Sequence, residues 1–252
     1  MSNPIALQVA HGITPSAGVL AIRSLSVSYG AIVAVRNLTL EVRQNEIVTL
    51  LGPNGAGKSS VLNACMGLTP SAGTIALAGE SIGGVATESI VRQGMTMVPE
   101  GRRVFAYLTV LENLRLGAGA SPTLQSSWRD TCERMFELFP RLRERQHTEA
   151  GVLSGGEQQM LTLCRSLMGD PELIIIDEPT EGLAPKIVEL VAEYLLALKA
   201  RGLSVLLIEQ KLTIALEISQ RVVVMGHGRV VFEGTPAELR ANAAVRKEWL
   251  EV

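Results

Sequence analysis

A glycine-rich octapeptide constrains this 252-residue chain more than any other part of its sequence: Gly52-Pro53-Asn54-Gly55-Ala56-Gly57-Lys58-Ser59. It matches the pattern G-x-x-x-x-G-K-[S/T] at every fixed position. It follows the short apolar run Ile47–Leu51, which has the length of a buried strand, and it precedes Ser60–Gly67, which has helical spacing. A glycine-rich loop between a strand and a helix turns consecutive backbone N–H groups inward, where they bind phosphate oxygens. The sequence therefore predicts a phosphate-binding loop.

Each residue type in this loop has a chemical role in binding a nucleoside triphosphate. The glycines allow backbone conformations that other residues rarely adopt, and the following helix directs unpaired N–H groups and its positive dipole end at the same anion. Lys58 can reach the β- and γ-phosphates, which makes it a predicted catalytic residue, and Ser59 can ligate Mg²⁺. We therefore predict that ATP and Mg²⁺ are bound through Gly52, Pro53, Asn54, Gly55, Ala56, Gly57, Lys58, Ser59 and Ser60.

Apolar runs of strand length recur along the chain and alternate with helical segments. Such strands are predicted at Val19–Tyr29, Met95–Val98, Leu173–Ile176 and Ser204–Ile208. A helical block over about residues 100–168 stands between two of them. This order predicts an α/β fold with a mostly parallel sheet core, a β-rich N-terminal part and an inserted helical subdomain. We predict one domain over residues 19–252, preceded by a flexible extension over residues 1–18.

Two carboxylates, Asp177 and Glu178, directly follow the wholly apolar run Leu173–Ile176. In a parallel α/β sheet, ligands bind at the carboxyl ends of the strands. Asp177 is therefore predicted to hold Mg²⁺, directly or through water, and Glu178 is predicted to polarise the water that attacks the γ-phosphate. A solvated acidic turn is the alternative interpretation of the same two residues.

The composition excludes several other classes of protein. A net charge of −2 argues against binding a nucleic-acid backbone, which needs a basic face, and an aromatic content of 4% argues against a stacking platform for single strands. Mean hydropathy is +0.26, yet no segment approaches the roughly 20 apolar residues that span a bilayer. The 3 cysteines are far apart, which predicts reduced thiols rather than a disulfide framework.

The segment Leu153–Gln159, with the sequence Leu-Ser-Gly-Gly-Glu-Gln-Gln, resembles the LSGGQ signature of the ATP-binding-cassette (ABC) ATPases. The order of motifs is also similar to that family, from the phosphate loop to the Asp-Glu-Pro-Thr segment that starts at Asp177. The resemblance extends from about Val19 onward. It implies a P-loop NTPase fold of the RecA-like type, ATP hydrolysis, and head-to-tail pairing of two such domains, in which the signature of one binds the γ-phosphate held by the other.

The same resemblance implies further nucleotide contacts. The signature residues that would face the nucleotide of a second subunit are Ser154, Gly155, Gly156 and Glu157. Tyr29 stands at the position of the aromatic residue that stacks on adenine, a contact worth about 1–3 kcal/mol. The alternative interpretations are an ordinary helix N-cap for Ser154 and a strand-end residue for Tyr29.

One departure from the family pattern concerns the metal. Glu100 replaces the glutamine that follows the strand Met95–Val98. It can still ligate Mg²⁺ through oxygen, but it adds negative charge beside the phosphates, which Arg102 and Arg103 are expected to offset. The predicted metal ligands are therefore Ser59, Glu100 and Asp177.

Three other departures are visible. Gln210 replaces the histidine that follows the apolar strand Ser204–Ile208, Ala184 replaces an aspartate, and Ser60 replaces a threonine. The amide of Gln210 can donate a hydrogen bond to the γ-phosphate, which makes it a predicted catalytic residue together with Glu178 and Lys58. It cannot become cationic as histidine can, so we expect slower turnover at this site.

Three segments together look like one of the two ATPases of bacterial branched-chain amino acid importers: Val98–Phe105, Glu178–Pro185 and Ile208–Gln210. This resemblance implies a second ATPase subunit, two membrane permease subunits and an extracytoplasmic solute-binding protein as partners, with no nucleic acid. It also implies a peripheral location on the cytoplasmic face of the plasma membrane. Three alternatives remain open: the ATPase of a urea or amide importer, that of a lipid or polysaccharide exporter, and a soluble ABC ATPase of iron–sulfur cluster assembly.

Overall fold

The computed structural model describes residues 18–119 and 127–251, so that only Gly18 of the predicted extension over residues 1–18 lies within the described part. The strands, in chain order, are β1 (Leu20–Tyr29), β2 (Ile32–Val42), β3 (Ile47–Leu51), β4 (Ser71–Leu77), β5 (Glu80–Ser81), β6 (Met95–Val98), β7 (Leu173–Asp177), β8 (Ser204–Glu209), β9 (Arg221–Gly226) and β10 (Arg229–Gly234). The α-helices are α1 (Lys58–Cys65), α2 (Thr87–Arg92), α3 (Val110–Ala118), α4 (Trp128–Leu138), α5 (Pro140–Glu144), α6 (Gly155–Leu167), α7 (Pro185–Ala200), α8 (Leu212–Ile218), α9 (Pro236–Ala241) and α10 (Ala243–Trp249).

The central sheet has 6 strands in the order β10-β9-β3-β8-β7-β6. Its neighbours pair in parallel, except that β10 pairs antiparallel with β9. Every residue of β3, β7 and β8 is buried, as in strands that are covered on both faces. The predicted α/β fold with a mostly parallel sheet is confirmed, and β3, which leads into the phosphate loop, lies near the middle of the sheet.

The β-rich N-terminal part forms a second sheet of 4 strands, in the antiparallel order β2-β1-β4-β5. Its buried side chains pack against one face of the central sheet, where Leu173 and Ile175 of β7 join them in one core. β2 begins at Ile32, and its first residues pair antiparallel with the end of β1. The side chain of Ile32, at this end of the strand, is 71% exposed.

Helices α3, α4, α5 and α6 lie between β6 and β7 in the chain and pack on the opposite face of the central sheet. Their core includes Ile174 and Ile176 of β7, and in it the rings of Phe139 and Tyr194 lie 4.3 Å apart. Both α3 and α6 begin with a capping box, in which a hydroxyl and a glutamate satisfy each other's backbone N–H group. The two boxes are formed by Thr109 with Glu112 and by Ser154 with Glu157.

The short helices are the elements that the sequence pattern missed. α2, α5, α8 and α10 have between 5 and 7 residues. Helical periodicity is read over a window of about 11–18 residues, so helices of one or two turns give no clear signal. Among the described residues, no helix combines the length and the apolar character that a membrane span requires.

Two glycines of β4 and its following turn test how tightly the N-terminal sheet is packed. Gly73 and Gly79 have φ angles of 99° and 88°, but a Cβ atom at Gly73 would lie 2.6 Å from the carbonyl oxygen of Ser24, whereas nothing lies within 4 Å of one at Gly79. Gly73→Ala is therefore expected to lower the free energy of unfolding by about 2 kcal/mol more than Gly79→Ala. Urea denaturation of both variants measures this difference, and equal losses would contradict it.

Candidate nucleotide-binding site

The phosphate loop connects β3 to α1, and its backbone is packed tightly against neighbouring strands. A Cβ atom at Gly52 would lie 2.4 Å from the carbonyl oxygen of Met225 in β9. One at Gly57, where φ is 101°, would lie 2.5 Å from a backbone oxygen of β2. The N–H group of Gly228 also donates to the carbonyl oxygen of Ala56 at 3.1 Å. Only glycine fits at positions 52 and 57, so the surrounding fold sets the shape of the loop.

Lys58 folds back over the loop. Its Nζ donates to the carbonyl oxygens of Gly52 and Pro53, at 2.7 and 3.1 Å, and lies 3.9 Å from Oε1 of Glu178. Only 4% of the residue is exposed. Burial lowers the pKa of Lys58, and the charges of Glu178 and Asp177 act against that shift. Lys58 thereby links the phosphate loop to the acidic end of β7.

Asp177 ends β7 on the same edge of the sheet as the phosphate loop. Its Oδ1 is a buried atom without a hydrogen-bond partner in the described part of the chain, and the neighbouring Ser59 hydroxyl acts to lower its pKa. Burial, together with the charges of Glu178 and Glu100, raises the pKa of Asp177 to about 6. Mg²⁺ takes oxygen ligands, so an unpartnered carboxylate oxygen beside a hydroxyl fits this ion.

Glu178 is held in place by the neighbouring strand. Its φ of 46° is a left-handed conformation that few residues other than glycine adopt, and its N–H group donates to the carbonyl oxygen of Ile208 at 3.0 Å. Nε2 of Gln210 lies 2.7 Å from both carboxylate oxygens of Glu178. The amide that was predicted to contact the γ-phosphate is therefore bonded, in this structure, to the carboxylate that was predicted to act as the base.

The carboxylate of Glu178 also lies close to two other carboxylates. Glu100, Glu178 and Glu181 each place an oxygen within 4.8 Å of the other two. The charge of Glu178 is the main cause that raises the pKa of Glu181. Sequence reasoning missed Glu181, although it stands only three residues after Glu178. The sequence did not reveal the turn that brings the two side chains together, in which the N–H group of Glu181 donates to the carbonyl oxygen of Glu178.

Arg102 and Arg103 bond to backbone oxygens rather than to the carboxylate of Glu100. Nη2 of Arg102 donates to the carbonyl oxygen of Gly182 at 3.3 Å, and Nε of Arg103 donates to the carbonyl oxygen of Glu100 at 3.4 Å. The guanidinium of Arg102 also lies against Gly155 of the signature. Neither hydrogen bond reaches the carboxylate of Glu100, so the offset of its charge by these two arginines stays a prediction, one that involves no direct contact.

A cavity of about 350 Å³ joins these groups. It is lined by the phosphate loop and by Ala34, Glu100, Glu178, Glu181 and Gln210. Tyr29 lies at the end of β1 and is 47% exposed, and hydrogen bonds with Ser60, Thr69 and Asn63 lower the pKa of its hydroxyl. A half-exposed ring beside the phosphate loop suits stacking on a base.

The signature lies apart from this cavity. The described residues that line the cavity include none from Ser154–Glu157. Oγ of Ser154 accepts the N–H group of Glu157 at 3.3 Å, and Oε2 of Glu157 accepts the N–H group of Ser154 at 2.8 Å. Ser154 is exposed, so the N-terminus of α6 can bind an anion that another molecule brings to it.

The raised pKa of Asp177 predicts a measurable pH dependence of stability. With a pKa of about 6 in the folded protein and 3.8 in the reference state, the folded protein binds this proton more tightly. The resulting stabilisation is present below about pH 4 and is lost as the pH rises through about 6. Asp177→Asn is expected to raise the free energy of unfolding by about 1–2 kcal/mol at pH 7 in chelator-treated buffer, and to leave it unchanged near pH 4. Urea denaturation at both pH values measures this, and an equal gain at both would contradict the assignment.

Residues 35–181 match the family model described as ABC transporter. The high-affinity branched-chain amino acid transport ATP-binding protein BraG of Pseudomonas aeruginosa is 42% identical over 232 residues, which cover 92% of this chain and 99% of the relative. The corresponding protein LivG of Salmonella typhimurium is 32% identical over 247 residues, which cover 92% and 97%. Among solved structures, the ADP conformation of MJ1267, an ATP-binding cassette of an ABC transporter, is 25% identical with a TM-score of 0.81, covering 92% of this chain and 98% of that one.

The fold and the site define a P-loop nucleotide-binding ATPase. The chain belongs to the ABC transporter family, and the resemblance that its signature predicted is confirmed.

Proposed function

We propose that this chain is the ATP-hydrolysing subunit of a bacterial importer for branched-chain amino acids. The observation that supports ATP hydrolysis is that the phosphate loop lies next to the acidic end of β7, where Nζ of Lys58 is 3.9 Å from Oε1 of Glu178. The substrate class is supported by the two relatives named above, whose names specify branched-chain amino acid transport and which match this chain over nearly their whole length.

The residues of the cavity, together with Asp177 at the end of β7, divide the chemistry between them. Lys58 turns from the carbonyl oxygens of its own loop to the β- and γ-phosphates of ATP. Ser59, Asp177 and Glu100 would hold Mg²⁺, which neutralises phosphate charge when bound. Glu178 accepts the proton of the attacking water. The amide of Gln210 keeps the carboxylate of Glu178 oriented toward that water, since it donates to both oxygens.

Head-to-tail pairing with a second cassette completes the site. Support comes from the position of Ser154–Glu157, which lies outside the cavity of its own chain but exposes a capped helix N-terminus. Such an N-terminus binds anions through free N–H groups and the helix dipole. In the pair, the signature of each chain contacts the γ-phosphate held by the other, and closure of the pair depends on ATP.

We place the permease contact at the segment Glu100–Tyr107 and at the helical subdomain over about residues 100–168. Phe105 and Tyr107 are 52% and 92% exposed. A groove of about 1070 Å³ next to them is lined by residues of β6, α3 and α6. Exposed aromatic side chains in the segment that begins at Glu100, a residue of the cavity, suit a contact that senses the nucleotide. Two permeases and an extracytoplasmic solute-binding protein would complete the transporter, with this chain on the cytoplasmic face of the plasma membrane.

Purification of the tagged full chain from membranes tests this function. We expect two permease subunits and a second cassette to co-purify, and we expect leucine with the solute-binding protein to stimulate ATP hydrolysis in proteoliposomes. Stimulation by urea instead would favour an amide importer. Recovery with cluster-assembly proteins from the soluble fraction would overturn the proposal.

Gln210→His is expected to increase ATP turnover of the assembled complex by about 3–10-fold, because imidazole can carry the positive charge that an amide cannot. Steady-state ATPase assays measure this effect. The exposed residue Gln44, which lies outside both the cavity and the groove, serves as the control when it is changed to histidine in the same way. Unchanged or lower activity of the Gln210 variant would show that the amide does not limit turnover.

A further inference from the structure

The fifth residue of the signature is Glu157, where the LSGGQ motif has glutamine. Its Oε2 accepts the backbone N–H group of Ser154 at 2.8 Å, at the N-terminus of α6. Burial raises the pKa of Glu157, but hydrogen bonds with Ser154 and the charges of Arg145 and Arg141 outweigh burial and lower the pKa overall. A full negative charge therefore stands at the position that the proposed function assigns to an incoming γ-phosphate.

This charge conflicts with phosphate binding. A glutamine could cap the same N–H group through its carbonyl oxygen without any charge. A carboxylate instead occupies part of the positive field at the helix N-terminus and repels a second anion that approaches it. A cation close to Glu157 is required to remove that repulsion.

The charges of Arg145 and Arg141 both act on this carboxylate, and Arg141 is the residue that contacts it directly. Its Nε lies 3.4 Å from Oε1 of Glu157, the oxygen that does not cap the helix, and its guanidinium also pairs with Glu144. Pro140 occupies the first position of α5 and so places Arg141 in the first turn of that helix, beside the signature. The side chain of Glu157 is 16% exposed, whereas that of Arg141 is 66% exposed.

We propose that Arg141 is a positioning residue of the signature. It neutralises Glu157 and holds this carboxylate in its capping position, so that the remaining N–H groups at the start of α6 accept the γ-phosphate of the paired cassette. The inference rests on the proposed head-to-tail site and adds to it the residue that makes an acidic signature compatible with an anionic ligand.

The ion pair has little to do with the stability of the isolated chain. An exposed pair contributes little to folding, because water screens both charges. Closure of two cassettes around ATP excludes water from the signature, and the same charges then interact in a medium of lower dielectric constant. Loss of Arg141 should therefore affect ATP-dependent closure and leave unfolding unchanged.

A double-mutant cycle on the full chain tests the pair. Arg141→Ala is expected to raise KM for ATP about 3–10-fold. Glu157→Gln alone should lower KM, because Arg141 then faces the phosphate without a carboxylate beside it. The combined variant Arg141→Ala with Glu157→Gln should return KM to within about 2-fold of the unmodified chain, since the amide caps Ser154 without charge. The midpoint of thermal unfolding of Arg141→Ala should stay within about 2 °C of the unmodified chain.

Arg143→Ala is the matched control, because Arg143 lies on the same helix and pairs with Glu133, at 2.6 Å, instead of the signature. Its ATPase activity should equal that of the unmodified chain. The inference is overturned if Arg141→Ala leaves KM unchanged, or if Glu157→Gln does not relieve its defect. Failure of the proposed function is a different result, in which the unmodified chain hydrolyses no ATP or Lys58→Ala has no effect.

Discussion

Replacing Glu178 by glutamine is expected to lower ATP turnover at least about 100-fold, while ATP is still bound. The amide has nearly the shape of the carboxylate, but it cannot accept the proton of the attacking water. Because hydrolysis reopens the paired cassettes in the proposed cycle, the variant should accumulate as an ATP-bound dimer. Single-turnover hydrolysis measures the first effect, and sedimentation velocity with and without ATP measures the second.

Glu172→Gln is the control for this variant. Glu172 immediately precedes β7, so it stands at the opposite end of the strand that Glu178 follows, and it is exposed. The control should hydrolyse ATP at the normal rate. The fraction of ATP-dependent dimer that it forms should equal that of the unmodified chain. If Glu178→Gln hydrolyses ATP at the normal rate, Glu178 is not the base, and the carboxylates of Glu100 and Glu181 become the candidates.

Lys58→Ala is expected to weaken ATP binding about 100-fold, which corresponds to the 2–5 kcal/mol that truncation of a buried charged partner costs. Lys58 is 4% exposed and is held by two carbonyl oxygens of its own loop, so alanine at this position removes a buried positive charge that a neutral water molecule does not replace. Isothermal titration calorimetry with ATP measures the loss. Unlike Glu178→Gln, this variant should fail to dimerise with ATP.

Lys186→Ala is the control for Lys58→Ala. Lys186 lies in the exposed first turn of α7, and its substitution by alanine removes the same charge from the chain. ATP binding by this control should be normal. Normal ATP binding by Lys58→Ala would contradict the assignment of the phosphate loop itself. A stable fold of both variants, checked by circular dichroism, separates loss of binding from loss of structure.

Local motifs allowed much of the site to be predicted from the sequence. The octapeptide lies between β3 and α1 as predicted, although α1 begins at Lys58 rather than at Ser60. Glu112 and Glu157 each accept the backbone N–H group of the cap residue three positions before them, which is the spacing of a capping box. These features were predictable because each depends on backbone conformation over a few consecutive residues, which side-chain type restricts directly.

The sequence by itself determined that this chain has a phosphate loop, an acidic strand end and a capped signature helix. Only the tertiary structure decided which of them meet. It places Gln210 on Glu178, Glu181 beside Glu100, and Arg141 on Glu157, while it keeps the signature out of the cavity of its own chain. The physical reason is that these contacts depend on the strand order β3-β8-β7-β6 and on turns that follow the strands. Periodicity indicates which face of an element is buried, but it contains no information on which element lies next to it.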